Sequence, residues 1–74
     1  MDKVRLGIVG LGWVSQVFHI PIFSKLEDVE IVAICDRDKS RAKMIGERFG
    51  LSSVYTDFEQ MLAKEDLDAV DVCT

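Results

Sequence analysis

Four short apolar runs alternate along this chain with stretches whose apolar residues recur at helical spacing. No other feature narrows the possible folds as much. Val4 to Val9 is a run broken only by Arg5 and Gly7, and it ends at Gly10. From Val14 the period changes: Val14, Val17, Phe18, Pro21 and Ile22 form a helical stripe. Pro21 disfavours a helical conformation at Ile20, so a break is expected near His19 or Ile20, with a second short turn from Pro21 to about Leu26. Val29 to Cys35 is rich in β-branched residues and free of Gly and Pro, the strongest strand signal present.

Asp38 is placed to cap the next helix, whose stripe is Ala42, Ile45 and Phe49 and whose end is marked by Gly50. Val54-Tyr55 reads as a very short strand. Thr56-Asp57-Phe58-Glu59 fits a capping box opening a third helix, with Phe58, Met61 and Leu62 as its buried face. Ala69 to Thr74 reads as a last strand. The order β-α-β-α-β-α-β predicts an α/β fold, a Rossmann-type doubly wound parallel sheet. Burial on both faces explains why the strands are nearly continuous apolar runs.

In the usual doubly wound order, 3-2-1-4, Cys35 and Cys73 are separated by the first strand. Two strand spacings amount to about 10 Å, beyond the roughly 7 Å limit for a disulfide. Both are read as buried thiols, consistent with a cytoplasmic, reducing setting. The formal charge is −4, and no basic cluster exceeds Arg41-Ala42-Lys43. Nucleic acid is therefore not an expected partner. A membrane is not expected either: no apolar run approaches the roughly 20 residues a spanning helix needs, and the N-terminus lacks a signal-peptide pattern. With 74 residues, only roughly 60 % of the unfolded surface can be buried, and the last strand would present an open edge. Residues 1–74 alone are expected to be marginally stable.

Chemistry is concentrated in Gly10-Leu11-Gly12-Trp13-Val14-Ser15, a G-x-G-x-x-S turn directly after the first strand. Gly10 permits the tight turn. Gly12, lacking Cβ, lets a pyrophosphate approach the helix N-terminus, where the N–H groups of Trp13 and Val14 face the anion. Position 15 must be small, and Ser15 stands where Gly or Ala is usual. Asp36 ends the second strand 24 residues after Gly12, close to the roughly 20-residue distance at which an acidic side chain meets a dinucleotide ribose. Candidate cofactor-binding residues are thus Gly10, Gly12, Trp13, Val14, Asp36 and Arg37. A plain βαβ turn followed by an acidic loop residue is the competing reading.

The sequence resembles the N-terminal part of the glucose–fructose oxidoreductase / inositol dehydrogenase family, Gfo/Idh/MocA. The resemblance is carried by Val4 to Trp13, His19-Ile20-Pro21, Val32 to Arg37, Phe49-Gly50, Val54 to Asp57 and Asp68 to Thr74. It implies a nicotinamide-dependent oxidoreductase acting on a sugar, inositol or related polyol. It also implies a Rossmann domain followed by a separate substrate domain, and a homo-oligomeric complete protein. In such enzymes the catalytic Lys lies in a Glu-Lys-Pro motif beyond the fourth strand, so no catalytic residue is assigned here. Residues 1–74 are expected to be the first portion of the NAD(P)-binding domain. A regulator of the same fold without catalysis and a different Rossmann reductase are the alternatives; a downstream Glu-Lys-Pro motif separates them.

For the cofactor, the Asp36 carboxylate can accept hydrogen bonds from both ribose hydroxyls, and it opposes a 2′-phosphate, which favours NAD over NADP. Arg37 pulls the other way. His19 reads as a helix-end side chain bonded to a carbonyl or to water, and Trp13 as a surface side chain. Asp71 needs water or a donor within its apolar strand. Glu59, Glu65 and Asp66 read as solvated surface. No metal site is expected, because Cys35 and Cys73 lie too far apart to share an ion with His19.

Overall fold

The computed structural model describes residues 3–73. Strands β1 (Val4–Val9), β2 (Val29–Cys35), β3 (Val54–Tyr55) and β4 (Ala69–Val72) form one sheet in the order β3-β2-β1-β4. All three pairings are parallel. This is the expected doubly wound arrangement. The last strand ends at Val72, and Thr74 lies outside the described residues.

Alternation along the strands sends side chains to two cores. Leu6, Ile8 and Ile34 face one side, where they meet Leu11, Ile20, Ala42 and Ile45. Ala33 and Cys35 face the other side, beneath Met61. Close approach is required on both faces. A Cβ on Gly7 would sit 2.8 Å from Leu67 Cδ1 and 3.1 Å from Met61 Cε. The glycine that interrupts the first apolar run is therefore where the third helix presses on the sheet.

The first helical segment departs from expectation. Residues 13–25 are helical without interruption, with a π-helical turn at Ser15–His19 that passes directly into α1 (Ile20–Lys25). Ile20 keeps right-handed helical angles, φ −62° and ψ −49°, and its N–H bonds back to Ser15 O. The break expected near His19 or Ile20 is instead a change of helix type. A widened turn absorbs one extra residue and accommodates the proline that follows. It also resets which residues face the sheet. Ser15 and Ile20, five apart as in an i→i+5 turn, are both buried, whereas Val14, Val17, Phe18 and Ile22 are 50, 43, 49 and 54 % exposed. The expected stripe points outward.

Helix α2 (Lys39–Phe49) follows its sequence signals closely. The Asp38 carboxylate accepts from Arg41 N, and Gly50 closes the helix at φ 69°. Helix α3 (Phe58–Lys64) is capped one residue later than expected. Asp57, rather than Thr56, accepts from Glu59 N at 2.8 Å and Gln60 N at 3.3 Å; a carboxylate there also complements the helix dipole. Of its expected buried face only Met61 is covered, packed over Ala33 and Cys35, and Phe58 and Leu62 are 40 and 45 % exposed. Glu65 is not simply solvated: its carboxylate accepts the Tyr55 hydroxyl.

Gly46 sets the distance between α2 and β3. A Cβ there would lie 2.6 Å from Val54 Cγ2 and 3.0 Å from Leu51 O. Gly46→Ala is expected to destabilise the protein by about 1–3 kcal/mol despite alanine's higher helix propensity. Adding Val54→Ala should restore most of the loss, as read by denaturant unfolding of both variants. A stabilised single variant would contradict this packing.

Candidate functional site

The carboxyl ends of the strands converge on an open cleft of about 930 Å³. Gly10, Gly12, Asp36 and Arg37 line it, as expected. Backbone bonds hold the rims together: Gly10 N to Cys35 O at 2.9 Å, Asp36 N to Tyr55 O at 3.0 Å and Cys73 N to Val9 O at 2.8 Å. In open α/β sheets this end of the strands is where ligands bind.

The glycine turn is tight and leaves open space before the helix. Gly10 adopts φ 90°, a conformation L side chains rarely reach. A Cβ built on Gly12 meets nothing within 4 Å, so the space before the helix N-terminus is open. The first-turn N–H groups of Trp13 and Val14 have no preceding helical turn to bond to. Their side chains take no part in lining the cleft. Trp13 is exposed and packs edge-on against Phe18, with ring centroids 5.8 Å apart. Ser15 is buried and its Oγ donates to Gly10 O at 2.5 Å. The hydroxyl that departs from the usual Gly or Ala thus ties the helix to the turn it follows.

Asp36 is the only buried carboxylate among the described residues, 8 % exposed. Its Oδ2 accepts from Leu11 N and its Oδ1 from Asp38 N, each at 2.8 Å. Arg41 Nη1 lies 3.5 Å from Oδ2. Burial pushes this carboxyl up, but the two backbone N–H groups and the Arg41 guanidinium outweigh burial and hold it below the usual range. The spacing from Gly12 pointed to Asp36. It gave no sign of Arg41, one helical turn inside α2, as a second cation beside Arg37.

The cysteines are both free thiols. Cys35 is buried beneath the cleft, and burial, joined by the negative charges of Asp36 and Asp57, pushes its thiol up. Cys73 is half-buried rather than buried, at the cleft wall. It lies next to two side chains that were read separately. His19 Nδ1 is 2.6 Å from Asp71 Oδ2, so His19 bonds neither to a carbonyl nor to water alone, and Asp71 has the donor it requires. Cys73 Sγ is 3.3 Å from that same nitrogen. The group beside His19 and Cys73 is Asp71, not the distant Cys35 on which the expectation of no metal site rests.

Residues 4–74 match the Gfo/Idh/MocA family, described as an oxidoreductase family with an NAD-binding Rossmann fold. The chain belongs to that family. It is 37 % identical over 74 residues to D-apiose dehydrogenase from Paraburkholderia graminis, covering all of this chain and 20 % of that protein. Among solved structures, an Agrobacterium radiobacter oxidoreductase in complex with NAD+, L-tartaric acid and magnesium superposes with a TM-score of 0.91 at 30 % identity. That match covers 99 % of this chain and 21 % of the other. A 3-ketoreductase from Actinomadura kijaniata, in complex with TDP-benzene and NADP, gives 0.88 at 29 % identity, with 99 and 23 % covered. The chain thus spans about a fifth of the length of these Gfo/Idh/MocA relatives. Among the described residues no helix is long and apolar enough to cross a membrane.

Asp36 joins the two turns most strongly when ionised, because a proton on one oxygen weakens that oxygen as an acceptor. Because its folded-state pKa is depressed, its stabilising contribution is complete above the unfolded value of about 3.9 and is lost as pH falls through the lower folded value. Asp36→Asn, which turns an amide N–H₂ toward one of the two backbone donors, is expected to cost about 1–3 kcal/mol at neutral pH. The gap from the parent should narrow below about pH 4. Urea unfolding of the full-length protein at neutral and acid pH measures this; a gap that widens on acidification would contradict it.

Proposed function

We propose that these residues form the first half of the cofactor domain of a cytoplasmic, homo-oligomeric oxidoreductase that uses NAD and moves a hydride to or from a sugar, inositol or related polyol. The observation that carries the reading is the buried Asp36 carboxylate, bonded to Leu11 N and Asp38 N beside the open glycine turn. Family membership supports it, and so does the sugar dehydrogenase among the relatives. Two free cysteines fit a reducing compartment.

In this reading each residue has a limited task. Gly10 turns the chain so that the helix points its N-terminus into the cleft, and Gly12 leaves room for a pyrophosphate against the N–H groups of Trp13 and Val14. Oδ1 of Asp36 spends one lone-pair direction on Asp38 N and keeps a second for a ribose hydroxyl, while Oδ2 accepts from Leu11 N and faces Arg41. Arg37 and Arg41 flank the adenosine end. The nicotinamide group, when bound, supplies hydride donor or acceptor chemistry. This chain's residues bind and orient it, while substrate recognition and proton transfer belong to further parts of the protein.

Discrimination between cofactors rests on charge. A 2′-phosphate would meet the Asp36 carboxylate directly, and Arg41, already 3.5 Å from that carboxylate, partly neutralises it without removing it. Bonds to a charged group are worth about 1.5–3 kcal/mol. The full-length protein should therefore bind NAD about tenfold or more tighter than NADP, by fluorescence titration. Asp36→Ala should lose most of that preference. Tighter binding of NADP by the parent, or full NAD affinity in the variant, would overturn the assignment.

The outward stripe of Val14, Val17, Phe18 and Ile22 supports the half-domain reading, since apolar surface of this extent is normally covered. Together with the edge of β4 it provides a surface for the rest of the domain. Residues 1–74 expressed alone are expected to self-associate or to unfold without a sharp transition. A monomeric sedimentation profile with cooperative melting would contradict this.

A further inference from the structure

Three metal-binding atoms converge between His19, in the first helical segment, and the end of β4. His19 Nδ1, Asp71 Oδ2 and Cys73 Sγ lie within 4.8 Å of one another, and all three residues are half-buried. Asp71 and Cys73, two apart in the chain, share one face at the end of β4. The π-helical turn, which ends at His19, presents the imidazole to that face.

We propose that His19, Asp71 and Cys73 form a binding site for a divalent cation of the zinc class. The donor set is one imidazole nitrogen, one sulfur and one carboxylate oxygen. Each is an established type of zinc ligand, and the sulfur and nitrogen select against magnesium and calcium, which take oxygen. A thiolate, a carboxylate and a neutral imidazole together carry two negative charges, which a divalent ion neutralises in a partly buried place. The separations are 2.6 Å from nitrogen to oxygen, 3.1 Å from sulfur to oxygen and 3.3 Å from sulfur to nitrogen. Tetrahedral zinc holds such atoms about 3.3–3.6 Å apart. The ion therefore replaces the Sγ proton, which leaves to solvent, while the neutral imidazole ligates through Nδ1 and carries its proton on Nε2; the triangle opens by less than about 1 Å. Three protein ligands leave a fourth position for water. Because Cys73 also lines the cleft, the bound ion ties the helix to β4 at the border of the candidate cofactor site.

The test uses full-length protein stripped with a chelator and titrated with Co2+ alone. One equivalent is expected to produce a near-ultraviolet thiolate-to-cobalt charge-transfer band that added Zn2+ removes. Cys73→Ser should abolish the band; because serine can still donate to Asp71, this variant keeps the polar contact and should keep the parent's circular dichroism. Cys35→Ser should retain the band, and His19→Ala should weaken cobalt binding about tenfold or more. A missing band in the parent, or a band that persists in Cys73→Ser, would overturn the proposal and leave the three side chains as a hydrogen-bonded clamp.

Discussion

The carboxylate of Asp36 holds together two turns that the rest of the candidate site depends on. One oxygen takes the N–H of Leu11, inside the glycine turn after β1, and the other takes the N–H of Asp38, in the turn after β2. These turns belong to segments about 25 residues apart, and strand pairing alone fixes them only up to the strand ends. Burial makes the arrangement costly unless both oxygens are satisfied, and they are. A ligand approaching the cleft therefore meets a wall whose backbone donors and charge are already oriented, the condition under which binding loses least to reorganisation.

Glycine and small side chains let the layers approach closely enough for that wall to form. Met61 rests on Gly7, Val54 on Gly46, and the buried Ser15 hydroxyl meets the carbonyl of Gly10. The π-helical turn belongs to the same set of adjustments. It keeps Ser15 and Ile20 on the sheet side while Pro21 continues the helix, and it carries His19 to Asp71. An uninterrupted α-helical repeat would have turned Ile20 away from the position that Ser15 shares.

Strand identity, sheet order and the Asp38 and Gly50 helix limits were legible because each depends on local patterns: β-branched runs, a carboxylate before a helix, a glycine after it. The glycine turn and Asp36 were legible because a chemical requirement fixes their spacing. The orientation of the first helix was not. Its apolar residues repeat at 3.6, and nothing local announces that one inserted residue shifts the buried set to Ser15 and Ile20. The exposed stripe misled for the same reason, since an apolar face can await a partner outside these residues. Arg41 and the His19–Asp71–Cys73 group were hidden because they form across elements. The one available signal was Asp71 itself, a carboxylate inside an apolar strand that had to find a donor.

One side chain, Asp36, organises both turns of the candidate cofactor site, and amide resonances report on it directly. In 1H–15N spectra of the full-length protein recorded from neutral to acid pH, the Leu11 and Asp38 amides should shift together. They should follow one titration with a midpoint below that of an ordinary aspartate, and the shared inflection should be missing in Asp36→Asn. Independent midpoints for the two amides, or an inflection that survives the substitution, would show that Asp36 does not couple the two turns.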